Sequence, residues 1–531
     1  MLAAAAPAHF PWLTVVTFAP LAGAIILALF PSKDVKLHRL FALAVTVVTF
    51  ALSVGLLFSY HRGVAGFQLV DSATWVSALN FRYLLGVDGI SLFMVLLSTF
   101  LMPAAILASW KVEHQVKYYM VALLILETAM IGSFVALDLL LFFIFFEGLL
   151  FPMYLIIGGW GSERRVYAAV KFFLYTMAGS AFLLVAILFL YFRAGSQFGH
   201  PSFDLTVLQH LSLPNVTARW LFLGFFIAFA VKVPLFPLHT WLPDAHTEAP
   251  TAGSLLLAAI LLKVGAYGLI RFNLSLFPEA SMYFRVFVSV LAVIGIVYGA
   301  AVALIQTDIK RLVAYSSVSH LGFVVLGVFA FNLQGMTGGV LQMVNHGLST
   351  GALFLLVGMM YERTHTRDLG RMGGLAPIVP AFAGVFLFVV LSSIGLPGLN
   401  GFVGEFLVLL GAFATTKAFA VIAVAGVVLA AIYLLWGYQR MMYGELKVPE
   451  FRLIPDLKAR EYAILVPIMA AILFIGIYPK PLLDRIEPSA GKTVACVLGA
   501  PSRDGSFKPF GKECAPYGPI IFSPAQRAVS P

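Results

Sequence analysis

Four ionisable residues lie near the middle of hydrophobic segments in this chain. They are Glu147, Lys232, Lys263 and Glu405. A charged side chain at the centre of a bilayer costs about 2.5 to 3.5 kcal/mol on insertion scales, so such residues pair with each other or line an ion pathway. A desolvated lysine beside a carboxylate can take up or release a proton when that carboxylate moves or is neutralised. The four residues therefore predict a buried path for protons.

Four further titratable residues are candidates for the same path. His320 and His346 have reference pKa values near neutrality, which suits proton relay, although packing between helices is the alternative for each of them. Glu127 and Lys171 are interpreted either as structural ion pairs or as side branches of the path.

The chain lacks the ligand patterns of redox and nucleotide cofactors. Asp244, His246 and Glu248 stand close together, but prolines on both sides of them predict a loop and not a metal site. The two cysteines, Cys496 and Cys514, cannot supply the four ligands of an iron–sulfur cluster, and no span has the spaced histidines of a haem site. A Walker A sequence and a dinucleotide fingerprint are also missing. We therefore expect no cofactor and no metal in this chain, so a gradient or partner subunits must drive it.

The composition predicts that these residues belong to a polytopic membrane protein. Hydrophobic residues make up 61% of the 531 residues, charged residues make up 11%, and the mean hydropathy is +0.96. A membrane-spanning helix needs about 20 apolar residues, which predicts an all-α fold with about 14 transmembrane helices. Their predicted centres are Val16, Val47, Leu97, Ile125, Phe145, Leu183, Phe226, Ala259, Val293, Phe323, Ala352, Val389, Val424 and Ala470.

Two of these helices contain helix breakers at membrane depth. Pro234 and Pro237 interrupt one, and Pro397 interrupts the other. Proline lacks the backbone N–H and obstructs the preceding turn, so each segment is predicted to form two half-helices. Discontinuous helices in both halves of a chain are common in transporters with inverted repeats. We therefore predict two inverted five-helix repeats at about residues 118–273 and 281–443.

Basic residues in the loops predict the orientation. The net charge is +10, but lysine and arginine are scattered through short loops and form no basic patch for nucleic acid. Most of them fall on one side of the predicted membrane, which is the cytoplasmic side by the positive-inside rule. We therefore predict a multi-pass protein of a bacterial inner membrane, in contact with the lipid bilayer, with both termini on the outer, periplasmic side.

The C-terminal end differs in composition from the rest. Residues 1–487 are predicted to form the transmembrane domain, and residues 488–531, rich in proline, glycine and serine, are predicted to form an irregular tail on the outer side. That compartment permits disulfides. A bridge between Cys496 and Cys514 would close a loop of a size worth about 3 kcal/mol in chain-entropy models. Two unpaired thiols are the alternative.

Four long motifs resemble one known family. They are FFIFFEGLLFPMYLIIGGWG, KVPLFPLHTWLPDAHTEAPTAGSLLLAAILLKVGAYG, DIKRLVAYSSVSHLGF and GLPGLNGFVGEF. These motifs closely resemble subunit M, or chain 4, of respiratory complex I, the proton-pumping NADH:quinone oxidoreductase. The resemblance is strong over residues 85 to 445. It implies a fold of fourteen helices with inverted five-helix repeats and two broken helices.

The resemblance also implies roles for single residues. Glu147 matches the glutamate of the family's fifth helix, Lys232 the lysine of its first broken helix, and Lys263 the lysine of its eighth helix. Glu405 matches the acid of the second broken helix, where the sister antiporter-like subunits usually carry lysine. His320 matches a histidine of the central axis.

The function implied by the resemblance is proton translocation in the membrane arm of complex I. A proton would enter from the cytoplasm near the first broken helix and be held by Lys232 under the influence of Glu147. Lys263, with His320 as a further candidate relay, would pass it to Glu405 and on toward the outer half-channel. FMN, iron–sulfur clusters and quinone would lie in partner subunits, so this chain would act in an enzyme without redox chemistry of its own. The alternatives are a subunit of a multisubunit sodium/proton antiporter and a purely structural scaffold, against which the central charges argue.

Overall fold

Long apolar helices make up most of the structure. The computed structural model describes residues 10–499. The principal helices in chain order are α1 (Trp12–Leu29), α2 (Val35–Ser59), α3 (Ser91–Ala108), α4 (Val116–Val135), α5 (Leu139–Trp160), α6 (Arg165–Phe198), α7 (Asn215–Lys232), α8 (Trp241–Glu248), α9 (Thr251–Leu276), α10 (Pro278–Leu304), α11 (Ile309–Val328), α12 (Leu333–Thr364), α13 (Pro380–Ser393), α14 (Asn400–Thr415), α15 (Lys417–Met442), α16 (Ala459–Ile477) and α17 (Lys480–Leu498). Within the described residues, 13 of them are long and apolar enough to cross a membrane. The prediction of a helical polytopic membrane protein is confirmed.

The remaining predicted span, centred near Val389, consists of two shorter apolar helices. They are α13 and α14, with Pro397 in the connection between them. A second interruption separates α7 from α8, and Pro234 and Pro237 lie in it. The thirteen long helices and this discontinuous pair together account for all fourteen predicted centres.

Both interruptions are closed by the same backbone hydrogen bond. The amide of Leu235 donates to the carbonyl of Ala230 at 2.9 Å, and the amide of Leu396 donates to the carbonyl of Leu391 at 3.0 Å. Each bond spans five residues and satisfies a carbonyl that the helix end would otherwise leave without a partner. The backbone therefore has the same local hydrogen-bonding geometry where α7 ends and where α13 ends.

Helices α9 and α12 form the buried centre of the bundle. The most apolar stretch of each is completely enclosed by the rest of the chain. A Cβ atom at Gly347 of α12 would lie 3.1 Å from the carbonyl oxygen of Ala259 in α9, so the two backbones approach closely there. Helix α9 also contains two π-helical stretches, Leu257–Leu261 and Leu269–Asn273. Such wide turns inside a helix occur frequently at functional sites.

A β-hairpin connects α2 to α3, which the all-α prediction did not contain. Strand β1 (Gln68–Val76) pairs antiparallel with β2 (Phe81–Val87), and Asn80 adopts the left-handed conformation at φ 47° in the turn. Phe81 stacks on Trp75 at a centroid distance of 5.0 Å. The sequence of this connection alternates too little between apolar and polar residues to predict strands. The strands form because their side chains pack against each other across the hairpin.

Helix α17 corrects the predicted start of the irregular tail. The helix continues through Pro488 to Leu498, so the boundary at residue 488 was wrong. Ile486, Ala490 and Val494 recur every four residues and are buried, and this apolar face holds the helix against the bundle despite the internal proline. We call the surface formed by the hairpin and α17 the terminal face. Cys496 is buried on α17, whereas Cys514 lies outside the described residues, so the disulfide stays a prediction.

Candidate functional site

A row of polar side chains begins at Lys263 in the buried centre. The Nζ atom of Lys263 lies 2.6 Å from Nδ1 of His346 and donates to the carbonyl oxygen of Ala258 at 2.5 Å. Ala258 belongs to the first π-helical stretch of α9. The wide turn leaves this carbonyl available to the side chain five residues later in the same helix. Lys263 therefore has two acceptors, both of them uncharged when His346 is neutral.

The row continues through two histidines to Glu405. The rings of His346 and His320 lie 5.8 Å apart between centroids. Nδ1 of His320 is 2.8 Å from Oε1 of Glu405, and its Nε2 is 3.5 Å from the hydroxyl of Tyr433. All of these side chains are buried. The sequence candidates Lys263, His346, His320 and Glu405 thus form one connected cluster, which we call the central row.

The second helix break positions Glu405. Nε2 of Gln342 donates to Oε1 of Glu405 at 3.0 Å, and Nδ2 of Asn345 donates to the carbonyl of Asn400, the first residue of α14, at 2.7 Å. A Cβ atom at Gly404 would lie 2.4 Å from Oε1 of Gln342. Only a glycine allows α14 to approach α12 this closely. Gln342 and Asn345 were not recognised in the sequence, since amides in an apolar helix carry no charge signal.

Glu147 and Lys232 form a looser pair at the other half of the bundle. No ion pair or hydrogen bond joins them, although the charge of Glu147 acts on Lys232. The Nζ atom of Lys232 is buried without a hydrogen bond and lies 4.7 Å from the centroid of the Phe146 ring. Oε1 of Glu147 is likewise buried without a partner. The two residues are neighbours whose coupling is electrostatic and not a direct contact.

Two functional candidates were missed by the sequence analysis. Lys310 is buried at the start of α11, where its Nζ donates to the carbonyl of Ala249 at 2.5 Å and to that of Thr247 at 3.4 Å. His246 is fully buried, stacks on Phe354 at 4.5 Å, and has no hydrogen bond at either ring nitrogen. The charges of both Lys310 and Lys263 act on this imidazole. His246 therefore links Lys310 electrostatically to the central row.

The predicted loop around His246 was wrong. Asp244, His246 and Glu248 lie on helix α8, because Pro243 falls in its first turn, where a proline costs no backbone hydrogen bond. The carboxylate of Asp244 forms an ion pair with Lys171, and Glu248 accepts a hydrogen bond from the backbone amide of Arg164 at 3.0 Å. The three side chains therefore do not converge. Among residues 10–499, no group of three or more potential ligands could hold a metal ion.

A cavity of about 410 Å³ opens on the face opposite the terminal face. Lys310, Arg367, Lys111 and Glu362 are among its lining residues. Lys111 and Glu362 form an ion pair at 2.8 Å across it. The cavity thus gives water a place next to the buried ammonium of Lys310, at the end of the path remote from Glu405.

Lys171 and Glu127 lie away from the central row. The Nζ atom of Lys171 is 2.7 Å from Oδ2 of Asp244, and both side chains are about one-fifth exposed, at 21% and 22%. This geometry favours the structural ion pair among the alternatives for Lys171. Glu127 is completely buried, and neither of its carboxylate oxygens makes a hydrogen bond.

Family profiles match most of the chain. The profile described as "NADH:quinone oxidoreductase/Mrp antiporter, TM" matches residues 136–432. A second profile, "NADH-ubiquinone oxidoreductase chain 4, amino terminus", matches residues 37–133. The helices that carry the central row therefore fall within the first profile.

Relatives and solved structures agree with these profiles. The chain is 48% identical to NADH-quinone oxidoreductase subunit M of Rhodobacter capsulatus over 91% of this chain and 96% of that protein. It is 44% identical to NADH-ubiquinone oxidoreductase chain 4 of Arabidopsis thaliana over 90% of this chain and 95% of that protein.

Among solved structures, a chain of respiratory complex I from Thermus thermophilus with bound NADH matches with a TM-score of 0.84 at 33% identity, covering 92% of this chain and 100% of that one. A chain of the Mrp complex from a Dietzia species matches with a TM-score of 0.80 at 20% identity, over 92% of this chain and 99% of that one, which shows a shared fold. The chain belongs to the family of NADH-quinone oxidoreductase subunit M, also called NADH-ubiquinone oxidoreductase chain 4.

Proposed function

We propose that this chain translocates protons as a membrane-arm subunit of an NADH:quinone oxidoreductase. The observation that carries the proposal is the row of buried side chains from Lys263 through His346 and His320 to Glu405, in which the two imidazoles meet by ring packing and the other neighbours lie within hydrogen-bonding distance. Each member can hold or donate a proton, and the row links the central helix α9 to the second helix break. Relatives over nine-tenths of the chain are named as subunits of that oxidoreductase.

The proton path begins at the cavity beside Lys310. A proton taken from water there reaches Lys310, and the charges of Lys310 and Lys263 both act on the buried His246. Lys263 donates through Nζ to Nδ1 of His346. The proton then passes from His346 to the adjacent imidazole of His320, at 5.8 Å between ring centroids, and Nδ1 of His320 gives up a proton to Oε1 of Glu405. The sequence expectation was entry near the first broken helix with Lys232 as the residue that holds the proton, and His246 lies on the second half of that helix.

Glu147 and Lys232 control the occupancy of the row by charge. A Cβ atom at Gly265, two residues after Lys263, would lie 2.8 Å from Cβ of Lys232, so α7 and α9 are in close contact where the two lysines stand. Like charges on two desolvated lysines disfavour each other. A charged Glu147 holds the proton on Lys232, and neutralising or moving that carboxylate lets the proton on Lys232 leave. The pair thereby biases the protonation of Lys263.

The source of energy lies outside this chain. We infer that FMN, the iron–sulfur clusters and quinone are held by partner subunits, which include sister antiporter-like subunits, and that this chain carries out no redox step. We place it in a bacterial inner membrane with the terminal face on the outer side, as the distribution of basic loop residues predicts. The matching backbone bonds at Leu235 and Leu396 support the two inverted repeats at 118–273 and 281–443.

The experiment measures proton pumping in inverted membrane vesicles that contain the assembled complex. Lys263→Met should abolish or strongly reduce the protons moved per NADH oxidised, because the first donor of the central row is lost. Lys171→Met is the matched control: it removes a lysine of the same bundle whose partner is Asp244 at the protein surface. Normal pumping in an assembled Lys263→Met complex would refute the proposed path.

The alternative is a subunit of a sodium/proton antiporter, which shares the fold. Purification of the complex separates the two functions, because co-purified flavin and iron–sulfur subunits support the oxidoreductase. Sodium-driven proton exchange in vesicles without NADH, and no such co-purified subunits, would support the antiporter instead.

A further inference from the structure

Helix α9 carries a second buried charge between Lys263 and the terminal face. Arg271 lies eight residues after Lys263, about 12 Å along the helix. Its NH2 group is 2.7 Å from Oδ1 of Asp88, and both side chains have no exposure to solvent, at 0% each. The proton path described above does not use this ion pair. A buried pair in a membrane protein is costly, so its position calls for a role.

The guanidinium of Arg271 also contacts two aromatic rings and a tyrosine hydroxyl. It lies 4.8 Å from the centroid of Phe67 and 4.9 Å from that of Tyr267. Its Nε donates to the hydroxyl of Tyr267 at 2.8 Å, and this hydroxyl donates to the carbonyl of Phe134 at 2.7 Å. The proton of the Tyr267 hydroxyl is therefore directed to a backbone carbonyl, which cannot pass it on.

Asp88 is fixed from the side of the terminal face. Its Oδ1 accepts hydrogen bonds from the backbone amides of Ile90 at 3.1 Å and Ser91 at 2.9 Å, at the start of α3. The next residue, Gly89, donates its amide to Oγ of Ser489 on α17 at 3.2 Å. A Cβ atom at Gly89 would lie 1.7 Å from a carbonyl oxygen of α17, so the helix lies directly on this turn. The hairpin, α3 and α17 therefore seal the pair from the surface.

We propose that the Arg271–Asp88 pair is a barrier that prevents protons on Lys263 from leaking directly to the outer side. A guanidinium stays protonated at every accessible pH, so it cannot relay a proton along α9. Four-residue spacing places Lys263, Tyr267 and Arg271 along one face of α9, which leads toward the terminal face. Without the guanidinium, this face would offer a short exit that bypasses His346, His320 and Glu405. The inference rests on the proposed function, because it concerns the same lysine.

The test measures passive proton leak in inverted vesicles that contain the assembled complex, as the decay of the pH gradient after NADH is exhausted. The double variant Asp88→Asn/Arg271→Gln removes both charges together and leaves no unpaired buried ion. We expect its leak to rise severalfold above the wild-type rate, because the group that cannot release its proton is no longer in the path. Adding Lys263→Met should return the leak to the wild-type rate, because the protons that flow back from the vesicle lumen must cross this lysine.

Arg285→Gln is the matched control. Arg285 is a half-buried arginine of α10 whose guanidinium donates to the carbonyls of Phe329 and Ala330, which lie outside α9. We expect its leak to equal that of the wild type. A wild-type leak in the assembled double variant, or a raised leak that persists with Lys263→Met, would overturn the proposal.

A second variant tests the barrier in case the first double variant does not assemble. Asp88→Asn/Arg271→Lys keeps a basic group at this place, but an ammonium without a carboxylate partner can release its proton whereas a guanidinium cannot. A raised leak in Asp88→Asn/Arg271→Lys supports the barrier, and a wild-type leak overturns it. Glu405→Gln is measured in parallel with NADH: normal pumping there would refute the proposed function, whereas the leak without NADH reports on the barrier alone.

Discussion

Replacing Glu405 by glutamine tests the last step of the central row. Oε1 of Glu405 accepts a hydrogen bond from Nε2 of Gln342 at 3.0 Å and lies 2.8 Å from Nδ1 of His320. Glutamine has nearly the same shape and retains a carbonyl oxygen that can accept both bonds. It cannot take up a proton. The variant therefore separates proton transfer from packing.

The structure gives the magnitude of both effects. A hydrogen bond to a charged group contributes about 1.5 to 3 kcal/mol, and a neutral one about 0.5 to 1.5 kcal/mol. The loss of stability should thus be about 1 to 2 kcal/mol, which is less than the roughly 3 to 5 kcal/mol of an orphaned buried charge. Because the amide of glutamine cannot take up the proton of His320, transfer through this position should be lost and not merely slowed.

The assay compares pumping and NADH oxidation in inverted vesicles, normalised to the amount of assembled complex. Glu405→Gln should assemble and lose most of its coupled turnover. The control is Glu461→Gln, since Glu461 is equally buried but pairs with Arg363 at 2.5 Å, outside the central row. That control should lower the amount of complex and leave the protons moved per NADH unchanged. Wild-type pumping rates in assembled Glu405→Gln would refute the reasoning.

Three further variants probe other parts of the path and of the fold. Glu147→Gln and Lys232→Ala should both assemble and strongly reduce coupled turnover, since the pair acts by charge without a direct contact; normal pumping in both would contradict the pair. Lys310→Gln keeps an N–H donor for the carbonyl of Ala249 but removes the charge, and slower pumping measured at saturating NADH is expected, whereas an unchanged rate would place the entrance elsewhere. Burial raises the pKa of Asp138, which lies between two spans, to about 7. The folded state therefore binds a proton there that the unfolded chain releases above about pH 4, and stability should fall as pH rises from about 4 to 7. Thermal unfolding against pH should show a weaker dependence in Asp138→Asn, and an identical profile would contradict the buried acid.

Apolar length made most of the fold predictable. A helix that crosses a bilayer needs a long run of apolar residues, and this requirement is visible without knowledge of any neighbour. The strands after α2 were not visible in this way, because a short hairpin depends on pairing across the turn at Asn80. Helix α17 was missed because Pro488 and the polar residues around it indicate a break, whereas burial of Ile486 and Ala490 against the bundle outweighs that signal.

The site was predictable where sequence neighbours alone imply burial. Glu405 and Lys263 have apolar residues on both sides, so a charge there must be buried in the bundle. Lys310 follows Asp308 at a helix start and looks like a loop charge, and only the carbonyls of residues distant in sequence show that it is buried. His246 was hidden in the same way, since Phe354 of another helix covers it.

The π-helical turn of α9 could not be predicted from any residue type, and it determines how Lys263 can work. A lysine at this depth is commonly stabilised by a carboxylate, which would hold its proton in an ion pair. Here the ammonium contacts the carbonyl of Ala258, which the wide turn makes available, and the ring nitrogen of His346. A carbonyl dipole holds an ammonium less firmly than a full negative charge does. Lys263 can therefore pass its proton to His346 without breaking an ion pair, and the carboxylate that finally attracts the proton, Glu405, stands at the far end of the row.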